Sequence, residues 1–506
     1  MLKIAFIGAG SIGFTRGLVT DLLTVKGLRN IRIAFTDINP KNLDMVTQLC
    51  QRDIDANGLS IQIEATTNRR EALRDAKYII NCVRIGTLEG FETDVNIPLK
   101  YGVDQCVGDT LCAGGIMYGQ RTIAAVLEFC KDIREVAAPG AILLNYSNPN
   151  AMVTWACNKY GGVKTYGLCH GVQGGHKQIA KALGYEQEEL DIICAGINHQ
   201  TWYISVKHNG EEMLDKILPA FEADPDLSRT EKVRIDILRR FGYYSTESNG
   251  HLSEYLAWYR KRPEEIKKWI DLDCWINGET GGYLRVCTEG RNWFEYDFPN
   301  WMKEPARDFD TYQRSQEHGS YIIEGLELGT RYRGHFNVVN NGTITNLPDD
   351  AIVEVPCYVD GSGVSIPKVG DLPLGCAAIC NQSISVQRLA VEAAVHGDLF
   401  LLRQAMMLDP LTGAVCTPEE IDQMTDEMLI AGEQWLPQYK TVIAQAKKRM
   451  ELRKESGSYI LPRANAQGAA RLHTKTVEEM AQDKEQARKN AAEADKGQER
   501  EQKRIR

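Results

Sequence analysis

A glycine-rich segment near the N-terminus constrains the fold more than any other feature of this sequence. The segment Gly8-Ala9-Gly10-Ser11-Ile12-Gly13 follows an apolar run at residues 3–7 and opens a helical pattern. Asp37 lies at the end of the next apolar run, 24 residues beyond Gly13. Glycines at this spacing between a strand and a helix, followed by an acidic residue, are typical of the turn that binds the pyrophosphate of a dinucleotide.

The glycines of this segment have distinct expected roles. Gly8 permits the tight turn, Gly10 lets the backbone approach the pyrophosphate, and Gly13 lets helix and strand pack closely. The helix N-terminus favours the phosphate charge. Asp37 is placed to accept hydrogen bonds from the adenosine ribose and would repel a 2′-phosphate, so NAD is favoured over NADP. The predicted cofactor-binding residues are Gly8, Gly10, Ser11, Ile12, Gly13 and Asp37.

The pattern along the chain predicts an α/β protein. Short apolar runs at residues 3–7, 31–36, 78–83, 141–146 and 163–168 alternate with helical patterns, which indicates a Rossmann-type, doubly wound, mostly parallel sheet. The following part mixes helical segments at 229–241 and 383–407 with a strand-rich stretch at 331–358, as expected for a second α+β domain.

Three regions follow from this pattern. We expect an NAD-binding domain at residues 1–195, a catalytic and substrate domain at 196–440, and a charged extension at 441–506. Residues 478–506 carry almost no large apolar side chain, so they form either a solvated helix or a disordered tail.

Composition narrows the class of partner and the compartment. The 506 residues carry a net charge of −9, which gives no electrostatic reason to bind nucleic acid or an anionic membrane, so a small molecule is the expected partner. The sequence shows neither a secretion signal nor an apolar stretch long enough to span a membrane, so we expect a cytoplasmic protein. The 14 cysteines are then expected to be reduced.

Several further motifs occur in an order that resembles glycoside hydrolase family 4, and most closely its melibiase-type α-galactosidases. The resemblance covers about residues 1 to 438. The motifs are Gly8 to Ser11, Asp109-Thr110 with Gly114-Gly115-Ile116, Asn145-Tyr146-Ser147-Asn148-Pro149, Gly167-Leu168-Cys169-His170, Gly196-Ile197-Asn198-His199 and Asn346-Leu347-Pro348.

The resemblance implies an unusual hydrolysis that departs from the usual scheme of two carboxylates. In this family, NAD takes a hydride from C3 of the sugar, a base removes the acidified C2 proton, and the substituent at C1 leaves. Water then adds and the hydride returns. A divalent metal, with manganese favoured, binds the oxygens at C2 and C3 as a Lewis acid. Cys169 and His199 match the family's metal ligands.

The resemblance also implies roles for other polar residues. Asn148 and Asp109 match positions that bind the sugar, although Cys112-Ala113 departs from the family pattern before Gly114. His170 stands where relatives that act on phosphorylated sugars carry an acidic residue, so it is either the general acid or a ligand of a sugar hydroxyl.

The C2 base falls within a family segment that matches residues 246–255. His251 is the candidate by position, with Tyr244 as an assisting residue and Glu254 as a substitute. Since Asn249 cannot take a proton, it is excluded as the base.

Substrate choice stays open at this point. Overall similarity favours α-galactosides, but Cys169-His170-Gly171-Val172 differs from the Cys-His-Ser-Val usual in α-galactosidases and resembles α-glucuronidases. α-Glucosides are a further alternative.

Outside the glycosidases, the alternatives are a simple NAD-dependent dehydrogenase and a non-catalytic NAD-sensing protein. We expect a homodimer or homotetramer.

Overall fold

The structure is a computed structural model that describes residues 1–272, 278–464, 466–487 and 489. Within these residues the strands form a 12-stranded sheet. The strands are β1 (Lys3–Ile7), β2 (Arg32–Thr36), β3 (Glu64–Thr66), β4 (Tyr78–Asn81), β5 (Ile142–Asn145), β6 (Lys164–Leu168), β7 (Leu190–Ile197), β8 (Gln200–His208), β9 (Glu211–Glu212), β10 (Tyr332–Val339), β11 (Ile352–Asp360) and β12 (Gly363–Ser365).

Helices flank the sheet and connect its strands. They are α1 (Ile12–Thr24), α2 (Pro40–Ala56), α3 (Arg69–Leu73), α4 (Thr87–Lys100), α5 (Cys112–Val136), α6 (Asn150–Ala156), α7 (Gly171–Leu183), α8 (Leu214–Ala223), α9 (Pro225–Thr230), α10 (Lys232–Phe241), α11 (Asn249–Tyr255), α12 (Pro263–Trp269), α13 (Gly282–Trp301), α14 (His318–Leu328), α15 (Leu374–His396), α16 (Leu399–Leu408), α17 (Pro410–Val415), α18 (Pro418–Ala431) and α19 (Lys440–Glu455). None of the described helices is both long and apolar enough to cross a membrane.

The sheet has a parallel half and an antiparallel half. The strand order is β3-β2-β1-β4-β5-β6-β10-β11-β7-β8-β9, with β12 paired to β11. The six strands from β3 to β6 are parallel, and β10 joins them by pairing antiparallel to β6. The predicted Rossmann-type α/β fold is therefore confirmed, and the strands beyond β6 make the complete sheet a mixed one.

All five predicted strands of the first half are present, and their ends differ from the predicted ones by at most two residues. β3 escaped prediction because its sequence, Glu-Ala-Thr, is short and carries no large apolar side chain. The helix expected over residues 383–407 is part of two helices, α15 and α16, because Gly397 ends α15 in a left-handed conformation with φ of 65°.

The hydrophobic core extends across the whole sheet. Its largest cluster joins Ile4 and Phe6 of β1 to Phe336 of β10 and to Val386 of α15. Because sheet and core continue past residue 195, the strands of the second half extend the layer built by the first. The division into domains at residues 195 and 440 stays a prediction.

The charged extension begins with α19 and then returns to the body of the protein. Arg463 forms an ion pair with Glu420 of α18, and the backbone N–H of Ala469 donates to Asp104 at 2.9 Å. Of the segment expected to be helical or disordered, residues 478–487 are helical, and the remainder, apart from residue 489, lies outside the described residues. Every described cysteine is free.

Candidate functional site

The glycine segment forms a tight turn between β1 and α1. Gly8 has a φ of 83°, and its backbone N–H donates to the Thr36 carbonyl at 3.0 Å. A Cβ at Gly8 would lie 2.9 Å from the backbone nitrogen of Val83, so a larger residue does not fit. Asp37 fastens this turn, because its Oδ2 accepts the Gly10 N–H at 2.8 Å and its Oδ1 accepts the Asn39 N–H at 2.8 Å.

One expected role of the glycines is not found. A Cβ built on Gly13 would meet no atom within 4 Å beyond its chain neighbours and the backbone of its own helix, so Gly13 is not needed for close packing of helix and strand. Ser11 donates its backbone N–H to the Gly8 carbonyl at 3.2 Å, and α1 begins at the next residue, Ile12. The helix N-terminus with open space beside Gly13 fits a pyrophosphate group.

The two predicted metal ligands lie together and are joined by a third residue, Glu247. Cys169 follows β6, His199 lies in the turn between β7 and β8, and Glu247 precedes α11. Their potential ligand atoms all lie within 4.8 Å of one another. The thiol of Cys169 lies 3.6 Å from Oε1 of Glu247.

The backbone of His199 adopts a conformation that residues other than glycine rarely take. Its φ is 64°, in a two-residue turn closed by the pair Ile197 and Gln200. Its Nδ1 lies 2.8 Å from Oγ1 of Thr110, and that hydroxyl donates to Oδ1 of Asp109 at 3.0 Å. Thr110 and Asp109 therefore orient the imidazole, as outer partners commonly do for a histidine that binds metal.

A second group of side chains shares His199. Asp109, His199 and His251 also place their potential ligand atoms within 4.8 Å of one another, and the two imidazole rings are 4.9 Å apart. Asn148 donates to Oδ2 of Asp109 at 3.0 Å, and the Arg84 guanidinium lies 3.6 Å from the same oxygen. The structure thus brings both predicted sugar-binding residues to the predicted metal ligands.

The electrostatics of the cluster favour a cation between its acidic groups. Burial raises the pKa of the Cys169 thiol well above its ordinary value, and the carboxylate of Glu247 raises it further. Burial also tends to raise the pKa of Glu247, but the nearby His199, His251, His170 and Arg234 together lower that pKa to about 2. A divalent cation would offset a thiolate and a carboxylate at this site, so the mixed donor set of thiolate, imidazole and carboxylate fits a divalent transition metal.

The two candidate proton-transfer histidines have different surroundings. Burial, and then the proximity of His199, lower the pKa of His251 to about 4. The Nδ1 of His251 lies 2.9 Å from the Ser248 hydroxyl. His170 is exposed, and its hydrogen bond to Glu317, 3.3 Å away, raises its pKa to about 9.

Two other candidate residues lie in structural positions. Tyr244 is fully buried against Phe221 and Tyr203, and its hydroxyl donates to Gln178 at 3.1 Å. Phe221 and Tyr203 belong, with Tyr244, to a core cluster separate from the main one. This position argues against Tyr244 as the base at C2 of the sugar. Glu254 accepts the backbone N–H of Val107 at 2.7 Å, so its carboxylate is committed to the loop that leads to Asp109.

Glu247 and Thr110 were not predicted as site residues. Thr110 belongs to one of the family motifs, but a threonine beside an aspartate does not indicate a contact with a histidine 89 residues away. Glu247 lies inside the segment predicted to contain the C2 base, where His251 and Glu254 were the predicted candidates. A carboxylate near the start of a helix is also common without any function.

Comparisons with known proteins identify the family of this chain. Residues 3–185 match the model of the family 4 glycosyl hydrolases, and residues 194–412 match that of the family 4 glycosyl hydrolase C-terminal domain. An α-galactosidase of Rhizobium meliloti (strain 1021) is 56% identical over 491 residues, which cover 97% of this chain and 99% of that protein. The chain belongs to glycosyl hydrolase family 4, and the predicted family membership is confirmed.

Solved structures of the family share the fold. A 6-phospho-alpha-glucosidase from gut microorganisms, in complex with NAD and glucose-6-phosphate, is 27% identical with a TM-score of 0.72, and the match covers 86% of this chain and 99% of that one. A 6-phospho-beta-glucosidase from Thermotoga maritima, with manganese, NAD+ and glucose-6-phosphate, is 24% identical with a TM-score of 0.71 over 86% of this chain and 99% of that one. The similarity to the Thermotoga maritima structure concerns only the fold.

Proposed function

We propose that this protein hydrolyses α-galactosides with NAD and a divalent metal ion, by transient oxidation at C3 and elimination across C1 and C2. The observation that carries the proposal is the position of the Cys169 and His199 cluster, which follows β6 and β7 of the same sheet that bears the glycine turn. A plain dehydrogenase needs only the glycine turn. The similarity to the α-galactosidase of Rhizobium meliloti supports the choice of sugar.

The glycine turn and the cluster would hold the two cofactors. Gly8, Gly10, Gly13 and the backbone of residues 11 and 12 would hold NAD, with Asp37 at the ribose, while Cys169 and His199 would bind the metal. When bound, NAD supplies a hydride acceptor, and the metal supplies a Lewis acid for the oxygens at C2 and C3.

The protein's own side chains orient the sugar and move its protons. Asn148 and Asp109, which are hydrogen-bonded to each other, are placed to bind vicinal hydroxyls. His251 is the proposed C2 base, because its ring lies beside His199 and its Nδ1 contacts Ser248, so that Nε2 can take the proton. His170, hydrogen-bonded to Glu317, is the proposed acid for the leaving oxygen. Tyr244 is left out because it is bound within the core.

A panel of nitrophenyl glycosides tests the function. Dialysed protein should release aglycone from the α-galactoside only after NAD, manganese and a thiol reductant are restored, with no net accumulation of reduced cofactor. The reductant is needed because a thiolate ligand is open to oxidation. Faster turnover of the α-glucuronide or the α-glucoside would change the assigned sugar. Stoichiometric reduced cofactor without bond cleavage would identify a dehydrogenase instead.

The C2 hydrogen tests the mechanism. In deuterated water the product should carry deuterium at C2, because the elimination route breaks that bond and a glycosidase with two carboxylates does not. His251→Ala should slow exchange and hydrolysis together, by on the order of 10²- to 10⁴-fold for a lost general base. His396→Ala, at the exposed end of α15, is the matched control and should leave both rates unchanged. Hydrolysis without exchange in the unaltered enzyme would refute the redox route.

A further inference from the structure

The side chain of Glu247 occupies a space that exists only because residue 171 is a glycine. A Cβ built on Gly171, the first residue of α7, would lie 1.8 Å from Oε1 of Glu247 and 2.8 Å from its carboxyl carbon. The backbone N–H of Gly171 also donates to the Cys169 thiol at 3.5 Å. Gly171 therefore lets α7 begin against the thiol while the carboxylate of Glu247 lies beside both.

The carboxylate of Glu247 faces the predicted metal ligands. The side chain of Glu247 is 16% exposed. Its Oε1 lies 3.6 Å from the Cys169 thiol, and its Oε2 lies 3.9 Å from Nδ1 of His251. The thiol donates to the carboxylate at a distance normal for sulfur, whereas the distance to His251 exceeds that of an ordinary hydrogen bond. The potential ligand atoms of Glu247, Cys169 and His199 all lie within 4.8 Å of one another, so the three side chains converge on one position.

We propose that Glu247 is a third protein ligand of the metal, beside Cys169 and His199, and that Gly171 is the residue that admits it. This inference rests on the metal site of the proposed function. A thiolate and a carboxylate together would neutralise a divalent cation, and three protein ligands leave positions open for two sugar oxygens and water. The departure of this chain from Cys-His-Ser-Val then has a structural reason, because a serine Cβ would meet the same carboxylate.

Manganese affinity measured without substrate tests the proposal. We would titrate the purified, reduced full-length protein with Mn²⁺ and follow free Mn²⁺ by electron paramagnetic resonance. Glu247→Gln keeps the shape of the side chain and removes its charge. Loss of an outer partner of a metal ligand already costs about 10- to 100-fold in affinity, so this variant should bind Mn²⁺ at least about 10-fold more weakly.

A pair of glycine variants separates the space at Gly171 from general effects on α7. Gly171→Ala should weaken Mn²⁺ binding because its Cβ displaces the carboxylate of Glu247. Gly174→Ala, one turn further along the same helix, is the matched control, since a Cβ there meets nothing within 4 Å. In the Glu247→Gln background the alanine at 171 should cause little further loss, because the two changes remove the same ligand. Thermal melting checks that each variant is folded.

The ligand variants distinguish failure of this inference from failure of the site. If Cys169→Ser and His199→Ala lose Mn²⁺ while Glu247→Gln binds it with unchanged affinity, Glu247 is not a ligand and the site itself stands. If Cys169→Ser also binds Mn²⁺ as the unaltered protein does, both the site and the inference are wrong. Loss of turnover in Glu247→Gln with unchanged Mn²⁺ affinity likewise overturns the inference, because it places the side chain in another role.

Discussion

Substitution of Glu254 separates an anchoring role from a catalytic one. The carboxylate accepts the backbone N–H groups of Val107 and Gly108 and so holds the loop whose next residue is Asp109. Glu254→Gln retains a carbonyl oxygen that can accept the Val107 N–H. We therefore expect C2 exchange and hydrolysis to persist within a few-fold in this variant. If Glu254 were the C2 base, the same change would abolish both.

The raised pKa of Glu254 also predicts that the free energy of unfolding depends on pH. Burial raises the pKa of Glu254 from 4.5 to about 7, although Arg260 lowers it and Asp109 raises it further. Because the folded state then holds this proton more tightly than the unfolded state, stability falls as the pH rises from 4.5 to about 7. A tenfold difference in proton affinity is about 1.4 kcal/mol, so this interval corresponds to a loss of up to about 3 kcal/mol.

Glutamine has no proton to lose, so Glu254→Gln should remove this part of the pH dependence. Urea unfolding at pH 5, 6, 7 and 8 would measure it. The variant should match the unaltered protein near pH 5 and become more stable than it near pH 8. Glu264→Gln, which removes an exposed carboxylate on α12, is the control for the change in net charge. Parallel stability curves for Glu254→Gln and the unaltered protein would refute the reasoning.

Changes at Asp37, at Tyr244 and in the C-terminal extension test other parts of the structure. Asp37→Ala should weaken NAD binding by at least about 10-fold in calorimetry, because it removes both the ribose partner and the acceptor of the Gly10 N–H, and Asp37→Asn should weaken it less. Tyr244→Phe should cost about 1 kcal/mol of stability in urea and leave turnover unchanged; a turnover loss above 100-fold would restore it as a candidate base. A chain ending at residue 457 should melt at a lower temperature and still bind NAD, because Asp104 loses its contact with the extension.

The features predicted correctly from the sequence are those set by local rules. The glycine turn was recognisable because strand, turn and helix follow one another within a few residues, and Gly8 does adopt a positive φ. Apolar runs in the sequence indicated where β6 and β7 end, and they therefore placed Cys169 and His199 just after strands. Family motifs then supplied the expectation that the two residues meet.

The features that the sequence did not predict depend on contacts between distant segments. Glu247 reaches the cluster only because α7 begins with a residue that has no side chain, and nothing in the local sequence of Gly171 indicates a partner 76 residues away. The sequence around Tyr244 also could not show that its ring packs against Phe221, which lies 23 residues earlier in the chain.

Two of the described non-glycine residues with a positive φ lie close to the candidate site. His199 and Cys112 both have positive φ, 64° and 59°, where glycine or asparagine would be less strained. Each is held by a buried partner, because Thr110 contacts the imidazole of His199 and Asp409 accepts the backbone N–H of Cys112 at 3.0 Å. Both residues flank the loop that carries Asp109. Such strain persists only where surrounding contacts enforce it, and these contacts converge on the groups that would bind the metal and the sugar.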